Sequence, residues 1–552
     1  WRKGKESMMI KLQKLTTGAV LIAAASAFLF CTGFTKASDY GNSENGYLKS
    51  ATYYSDDWVI NFWNSESFHM DEELKQIAED GFNSIILVVP WREFQPSVSP
   101  EQYNDYAWEK FDRVMEAAGK QDLKVMLRVG YTWDYYGSDN VLERYEKMLY
   151  DETVKQAWMH YTKLLYERAS AHENFCGGFI TWEDFWNFAE NSVYYGSGLT
   201  GKKMAAKCGY TQYVKDHYTL EELGEMYNDT FESYEDVYLP DSLDSYGRKA
   251  FYQFYDDFLN RILAETQTVF PDLSMEVRLD VDPVKRPDGT LEGAPHDSTF
   301  SCGTSGFSSA MYSACMGFES MGQTVSTASA IANANLYLDR MSAASGGKKL
   351  YLDQFLFTDN TPGFEKNAKL AESEKRAYLD GMADIFKAKT MGYGIWSYRD
   401  YGDNKLFNAQ FALDKQGWTF SGGSYIENRN GNKMAAVPVS GKISQSIQKR
   451  TAGGKGKNAY VRFFLEGDGN CRVTVRGGEK SQTVSAGDPQ TVELTFSDTA
   501  ISELSFTVQG TGKAYIDNVK VYTWITEGNM YHMDGRESSC AQAIRDMNHK
   551  VQ

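Results

Sequence analysis

Cysteine is scarce and scattered: seven residues in 552, none at the short spacings of a metal centre or of a small disulfide-built domain. A zinc site is not indicated, and Cys176, Cys208, Cys302, Cys315, Cys471 and Cys540 leave room for one or two disulfides. Basic residues are also in deficit. Lys and Arg number 57 against 74 Asp and Glu, a net charge of −17, so the chain lacks the clustered cations that hold nucleic acid or an anionic membrane. The apolar run from Ala19 to Phe30 is too short to span a bilayer comfortably. Met9, Lys11 and Lys14 before it and Thr35-Lys36-Ala37 after it form a secretory pattern. Phe30 is too bulky before Cys31 for lipidation. A secreted or cell-surface protein is expected, with no stable membrane span once residues 1–38 are removed. No glycine-rich phosphate fingerprint follows the first strand-like run, which argues against a nucleotide-binding open sheet, and no cofactor is expected.

What is present is a globular composition, 42% hydrophobic and 24% charged, in a chain longer than one core usually supports, so two domains are expected. Aromatic residues make up 14% of the sequence. Most such rings fill cores; the excess suits a cleft that stacks on the C–H faces of sugars. From about residue 57, apolar strand-like runs alternate with amphipathic helical stretches. The strand candidates are 58–63, 84–89, 123–129, 177–181, 273–280, 309–316, 349–355 and 393–398. That alternation predicts parallel βαβ units and, at this length, a (β/α)8 TIM barrel over 50–407, with an insertion at 187–243 overhanging its mouth. Short alternating strands between turns over 408–525 predict an all-β jelly-roll sandwich. Residues 526–552 form a polar tail, with a short helix packed back on a domain.

In such a barrel, chemistry sits at the carboxyl ends of the strands. Those ends carry Trp91 on strand two, Arg128 and Trp133 on strand three, and Trp182 and Glu183 on strand four. Strand five ends in Arg278, Asp280 and Asp282, strand six near Tyr312, strand seven in Asp353 and Gln354, and strand eight in Trp396 and Asp400. One strand-end tryptophan is as often core as site; acids, arginines and tryptophans gathered at one end make a site candidate.

The stretch from Trp91 through Gln95-Pro96, Tyr103 and Trp108 to Leu123-Lys-Val-Met-Leu-Arg128 resembles the second and third units of clan A glycoside hydrolases. These are the retaining β-glycosidase barrels that include family 5. The resemblance covers about residues 55–405 and is one of pattern. It implies an acid/base Glu on strand four, a nucleophile Glu on strand seven and an aromatic platform on strand eight; Glu183 and Trp396 match the first and third. Gln354 stands in the nucleophile seat, and an amide cannot attack an anomeric carbon. Three accounts stay open: an engineered Gln, a second carboxylate from Asp353, Asp280 or Asp400, or a barrel that only binds glycan. Trp91, Arg128, Trp133, Trp182, Arg278, Asp280, Tyr312, Trp396 and Asp400 are the expected substrate contacts. The expected function is hydrolysis of a β-linked polysaccharide or oligosaccharide; the rival is a non-catalytic glycan-binding protein. The last domain is similar to jelly-roll carbohydrate-binding modules through Trp418 and the closing strand Ala514–Tyr522, a strand that also closes purely structural sandwiches, so both a glycan binder and a structural domain stay open.

Overall fold

Eight parallel strands close on themselves: β1 (Leu48–Thr52), β2 (Ser84–Val89), β3 (Lys124–Val129), β4 (Phe175–Thr181), β5 (Ser274–Val277), β6 (Phe307–Ser313), β7 (Lys349–Leu356) and β8 (Gly392–Ile395). The computed structural model describes residues 35–41, 46–131, 141–181, 201–240, 245–277, 284–292, 296–314, 322–357, 368–447 and 451–551. Strand β2 is buried along its whole length, as an apolar run covered on both faces must be. The surrounding helices include α1 (Met70–Glu79), α2 (Asp105–Lys120), α3 (Glu152–Ala169), α4 (Gly201–Cys208), α5 (Tyr210–His217), α6 (Leu220–Tyr227), α7 (Arg248–Thr266), α8 (Thr327–Ala344) and α9 (Lys375–Lys389). Helix α2 buries Trp108, Phe111, Val114, Met115 and Ala118, the three-and-four spacing of one helical face.

The first strand is not where the sequence placed it. Residues 58–63 lie in a turn and the 3-10 helix Asn61–Asn64, and Leu48–Thr52 enters the barrel instead. The aromatic run imitates a buried strand because Phe62 and Trp63 are fully packed, Trp63 edge-on to Phe94 with ring centroids 4.6 Å apart. The true strand escapes notice because its polar residues are buried and satisfied by distant partners: Lys49 Nζ donates to the Asn548 carbonyl at 3.1 Å, and Ser50 Oγ lies 2.6 Å from Ser84 Oγ and accepts from the Tyr351 hydroxyl at 2.7 Å. Within the insertion, which carries Tyr194, Tyr195, Tyr210 and Tyr213, the described tyrosines pack inward. Tyr210 is fully buried, its ring edge-on to Phe254 of α7 at 5.4 Å, and Tyr213 packs on the same ring at 5.4 Å. These tyrosines fasten α5 to the helical layer; Tyr194 and Tyr195 lie outside the described residues. Cys176, Cys208, Cys302, Cys471 and Cys540 are all free thiols, so no disulfide joins any two of them.

Beyond the barrel come β9 (Tyr401–Asn404), β10 (Thr419–Ser421), β11 (Tyr425–Arg429), β12 (Asn432–Pro438), β13 (Lys442–Ser446), β14 (Asn458–Asp468), β15 (Cys471–Gly477), β16 (Lys480–Ser485), β17 (Gln490–Ser497), β18 (Glu503–Gly510) and β19 (Lys513–Ile525). They form two antiparallel sheets, β11-β12-β19-β14-β17 and β10-β13-β18-β15-β16. Residues alternate strictly in β17, with Val492, Leu494 and Phe496 inward. Strand β9, read from sequence as the end of the barrel, pairs with β19, Gly402 opposite Trp524. The two units also share buried ions: Lys520 Nζ lies 2.7 Å from Asp57 Oδ2, both side chains under 5% exposed.

The tail returns to the barrel. Helix α10 (Ala541–Lys550) packs on α9 and lays Ile544 and Met547 into the barrel core. Arg545 Nε pairs with the buried Asp80 carboxylate at 2.7 Å.

The sandwich contains one group whose proton should be visible in stability. Burial pushes the Asp517 carboxyl from 3.8 up to about 7, against the opposing donation from Asn432 Nδ2 at 2.7 Å. The folded chain therefore keeps a proton that the unfolded chain has already released, and stability falls as pH rises from 3.8 to about 7. Asp517→Asn is expected to stabilise the fold by about 1–3 kcal/mol at alkaline pH and by little in acid, read as urea midpoints at the two extremes.

Candidate active site

The barrel interior is layered. Its floor is apolar, made of Leu48, Ile86, Met126, Phe179, Phe307 and Tyr351 with Ala37 and Met391. Gly394 lets β8 close over this floor, since a Cβ there would lie 2.9 Å from the Asp353 carbonyl oxygen and collide with Ile86. Above it comes a polar layer centred on Arg128, 4% exposed. Its Nη1 donates to Gln354 Oε1 at 3.0 Å, and its Nη2 donates to Thr181 Oγ1 at 2.9 Å. The same Nη2 lies 3.2 Å from the Glu276 carboxylate, which is fully buried. Ser309 Oγ donates to Asp353 Oδ2 at 2.5 Å. One planar guanidinium thus bridges strands three, four, five and seven, a geometry suited to its fork of donors.

A bulge in β7 brings Gln354 to this layer. Ala310 pairs with Leu352 and Met311 with Gln354, so one residue of β7 is extra. A regular strand would send Gln354 outward two-fold out of phase with Asp353. With the bulge it reaches Arg128, while Phe355 turns outward against Phe386 with centroids 4.9 Å apart.

Over the polar layer stands a group of rings. The Arg128 guanidinium lies 5.0 Å from the centre of Tyr131, and Tyr131 meets Trp58 at 5.9 Å. Trp58 packs edge-on to Trp396 at 5.8 Å and stacks on Tyr401 at 5.2 Å; Tyr54 closes the group against Trp396 at 5.9 Å. Burial pushes the Tyr54 and Tyr401 hydroxyls far up, so both remain protonated donors, Tyr401 donating to the buried Glu527 carboxylate at 3.2 Å. Asn529 Nδ2 donates to the backbone oxygens of Trp396 and Ser397, both at 3.0 Å, holding the end of β8.

Of the residues named from sequence, Arg128, Asp353, Gln354 and Trp396 meet here. Glu183, Trp133, Trp182, Arg278, Asp280 and Asp282 lie outside the described residues. Three expectations are corrected. Trp91 is fully buried behind the barrel, between Tyr145 and Trp158 at 5.3 and 5.2 Å. Tyr312 faces outward, stacked parallel to Phe355 at 6.5 Å and donating to the Ala330 carbonyl of α8 at 3.4 Å. Asp400 serves the tail: its Oδ1 accepts from the Gly528 amide at 2.8 Å and its Oδ2 faces His532 Nδ1 at 3.2 Å. Sequence reasoning missed Glu276, Tyr54, Tyr131 and Tyr401. Glu276 did carry a signal, an isolated acid between Met275 and Val277 in an apolar strand. Among the described residues no three His, Cys, Asp or Glu side chains are grouped to hold a metal ion, and no helix is long and apolar enough to cross a membrane.

These observations define the class: a closed (β/α)8 barrel with a polar, ring-roofed carboxyl end, followed by an antiparallel β-sandwich. No protein-family model matches the chain, and no curated protein matches its sequence. Solved structures similar to it include an exo-β-1,4-mannosidase from Opitutaceae bacterium strain TAV5, at 12% identity over 67% of this chain and 56% of that one, TM-score 0.40. A family 5, subfamily 18 glycoside hydrolase from Streptomyces cattleya, in complex with GlcNAc, matches at 13% identity over 66% of this chain and 73% of that one, TM-score 0.40. A β-galactosidase from the psychrophilic Marinomonas ef1 matches at 12% identity over 64% and 54%, TM-score 0.42.

Proposed function

We propose that this chain is a secreted glycosidase acting on a β-linked glycan at the carboxyl end of its barrel. The observation that carries the reading is the Arg128 layer lying directly beneath the Tyr131–Trp58–Trp396 rings. Sugars are recognised by such a pairing, rings against C–H faces and fixed donors against hydroxyls. Glu183 follows Thr181 by two positions, and Thr181 points to Arg128. In this reading Glu183 serves as the general acid. Arg128 orients groups in this scheme.

Gln354 favours a second reading, in which the barrel binds glycan without turning it over. Its Oε1 already accepts a hydrogen bond from Arg128 Nη1, so the amide is held as a positioned polar group rather than a nucleophile. One experiment separates the readings. Aryl β-glycosides and β-mannan, β-galactan and β-glucan oligosaccharides are incubated with the wild type and with Gln354→Glu, and product anomers are followed by NMR. The substitution sets a carboxylate against Arg128 Nη1, which lowers its pKa. Turnover with retention is expected to rise by a factor on the order of ten or more. A fall from an active parent would assign the second carboxylate elsewhere. Inactivity of both, with glycan binding that Trp396→Ala abolishes, would establish the binding reading.

A further inference from the structure

We infer that the sandwich carries a second glycan-binding surface centred on Trp524, separate from the barrel mouth. This rests on the reading of the chain as a glycan-handling protein. Trp524 is the one tryptophan among the large apolar side chains left exposed in the described residues, 37% in solvent. Its indole is held rigidly: Tyr460 stands perpendicular to it at 5.4 Å and Tyr522 at 5.7 Å, and the two tyrosines stack on each other at 5.4 Å. The platform is built rather than accidental. Tyr522 lies against Gly402, where a Cβ would come within 2.9 Å of its ring, and its hydroxyl donates to Glu493 Oε2 at 2.9 Å. Arg462, paired with Glu493 across β14 and β17, adds donors beside the rings, its Nη1 3.5 Å from Asp56 Oδ2.

Size and chemistry select the ligand. A stable protein partner needs a contact on the order of 800 Å² per side, and one indole with two tyrosine edges is far smaller. A pyranose ring needs little more than one aromatic face, with hydrogen-bonding groups at its edge. Rings bordered by a carboxylate and a guanidinium meet that need, and a neutral glycan is indifferent to the net charge of −17. The surface is distinct from the mouth. Tyr401 turns to Trp58, whereas the next residue, Gly402, opposes Trp524, and successive residues of a strand face opposite sides. The two surfaces therefore stand back to back across β9, suited to holding one polymer while the mouth engages another stretch or chain.

The test is affinity electrophoresis of the full chain through gels containing β-mannan, β-galactan, β-glucan or xylan. Wild type is expected to be retarded by at least one polymer. Trp524→Ala should weaken that retardation about tenfold, the effect of losing one aromatic stacking contact, with Trp524→Phe intermediate. Tyr460→Ala is the second variant, and unchanged thermal unfolding midpoints certify the folds. Equal retardation of wild type and Trp524→Ala, or no retardation of the wild type by any polymer, overturns the proposal. So does a concentration-dependent dimer in sedimentation that Trp524→Ala dissolves, which would give the surface to a second copy. Hydrolysis of aryl β-glycosides reports on the mouth alone, so a failure there is distinguishable from a failure here.

Discussion

Replacing Arg128 by leucine is expected to destabilise the barrel by about 3–5 kcal/mol, the range found when one member of a buried ion pair is removed. The side chain is 4% exposed and the Glu276 carboxylate beside it is fully buried, 3.2 Å away. Solvent cannot step in for the guanidinium, so a carboxylate stays in a low-dielectric interior beside one fewer cation. Gln354 Oε1 and Thr181 Oγ1 lose their donors at the same stroke. An exposed pair of the same length would contribute about 0–1 kcal/mol, and the difference between these figures makes the experiment decisive. Urea midpoints of Arg128→Leu, Glu276→Leu and the double variant form a cycle. The double variant should recover much of the loss, because it removes both charges of the pair together. A loss below about 1 kcal/mol for Arg128→Leu would show that the layer is hydrated and not the closed network described.

The second large effect is kinetic. Glu183→Gln is expected to lower turnover of a β-glycoside by roughly 10²–10⁴-fold, the usual contribution of a general acid, with the fold unchanged. Under the proposed reading this residue gives its proton to the leaving-group oxygen, and Trp182, Phe185 and Trp186 flank it in sequence. The readout is a pH–rate profile as well as a rate. Wild-type turnover should fall on the alkaline side as the acid loses its proton, and the variant, which has none to lose, should lack that limb. An aryl glycoside with a good leaving group should lose less than a natural disaccharide, since it needs less protonation. Near-wild-type rates on both substrates would remove Glu183 from the mechanism.

Much of the architecture was legible because it is written in local periodicity. Ser84–Val89 and Lys349–Leu356 announce buried parallel strands, the α2 stripe from Trp108 to Met115 a helix between them, and Val492, Leu494 and Phe496 a sandwich strand. Strand ends follow from strands, so Arg128, Asp353, Gln354 and Trp396 could be gathered on paper before they were seen together. Side and partner could not. Trp91 and Tyr312 sit at strand ends yet face the helices, because which face a residue takes depends on neighbouring strands. The β7 bulge shows this most clearly: one extra residue opposite Ala310 and Met311 reverses every side chain after it and delivers Gln354 to Arg128. Glu276 has meaning only through a guanidinium on another strand, and β9 joins the sandwich only because β19 returns from far along the chain to pair with it. The sequence by itself determined the periods, and with them seven of the eight barrel strands, the helices between them and the end of the barrel where polar residues collect. The tertiary structure decided register, facing and charge pairing, because each of these is set by contacts between segments that no local period records.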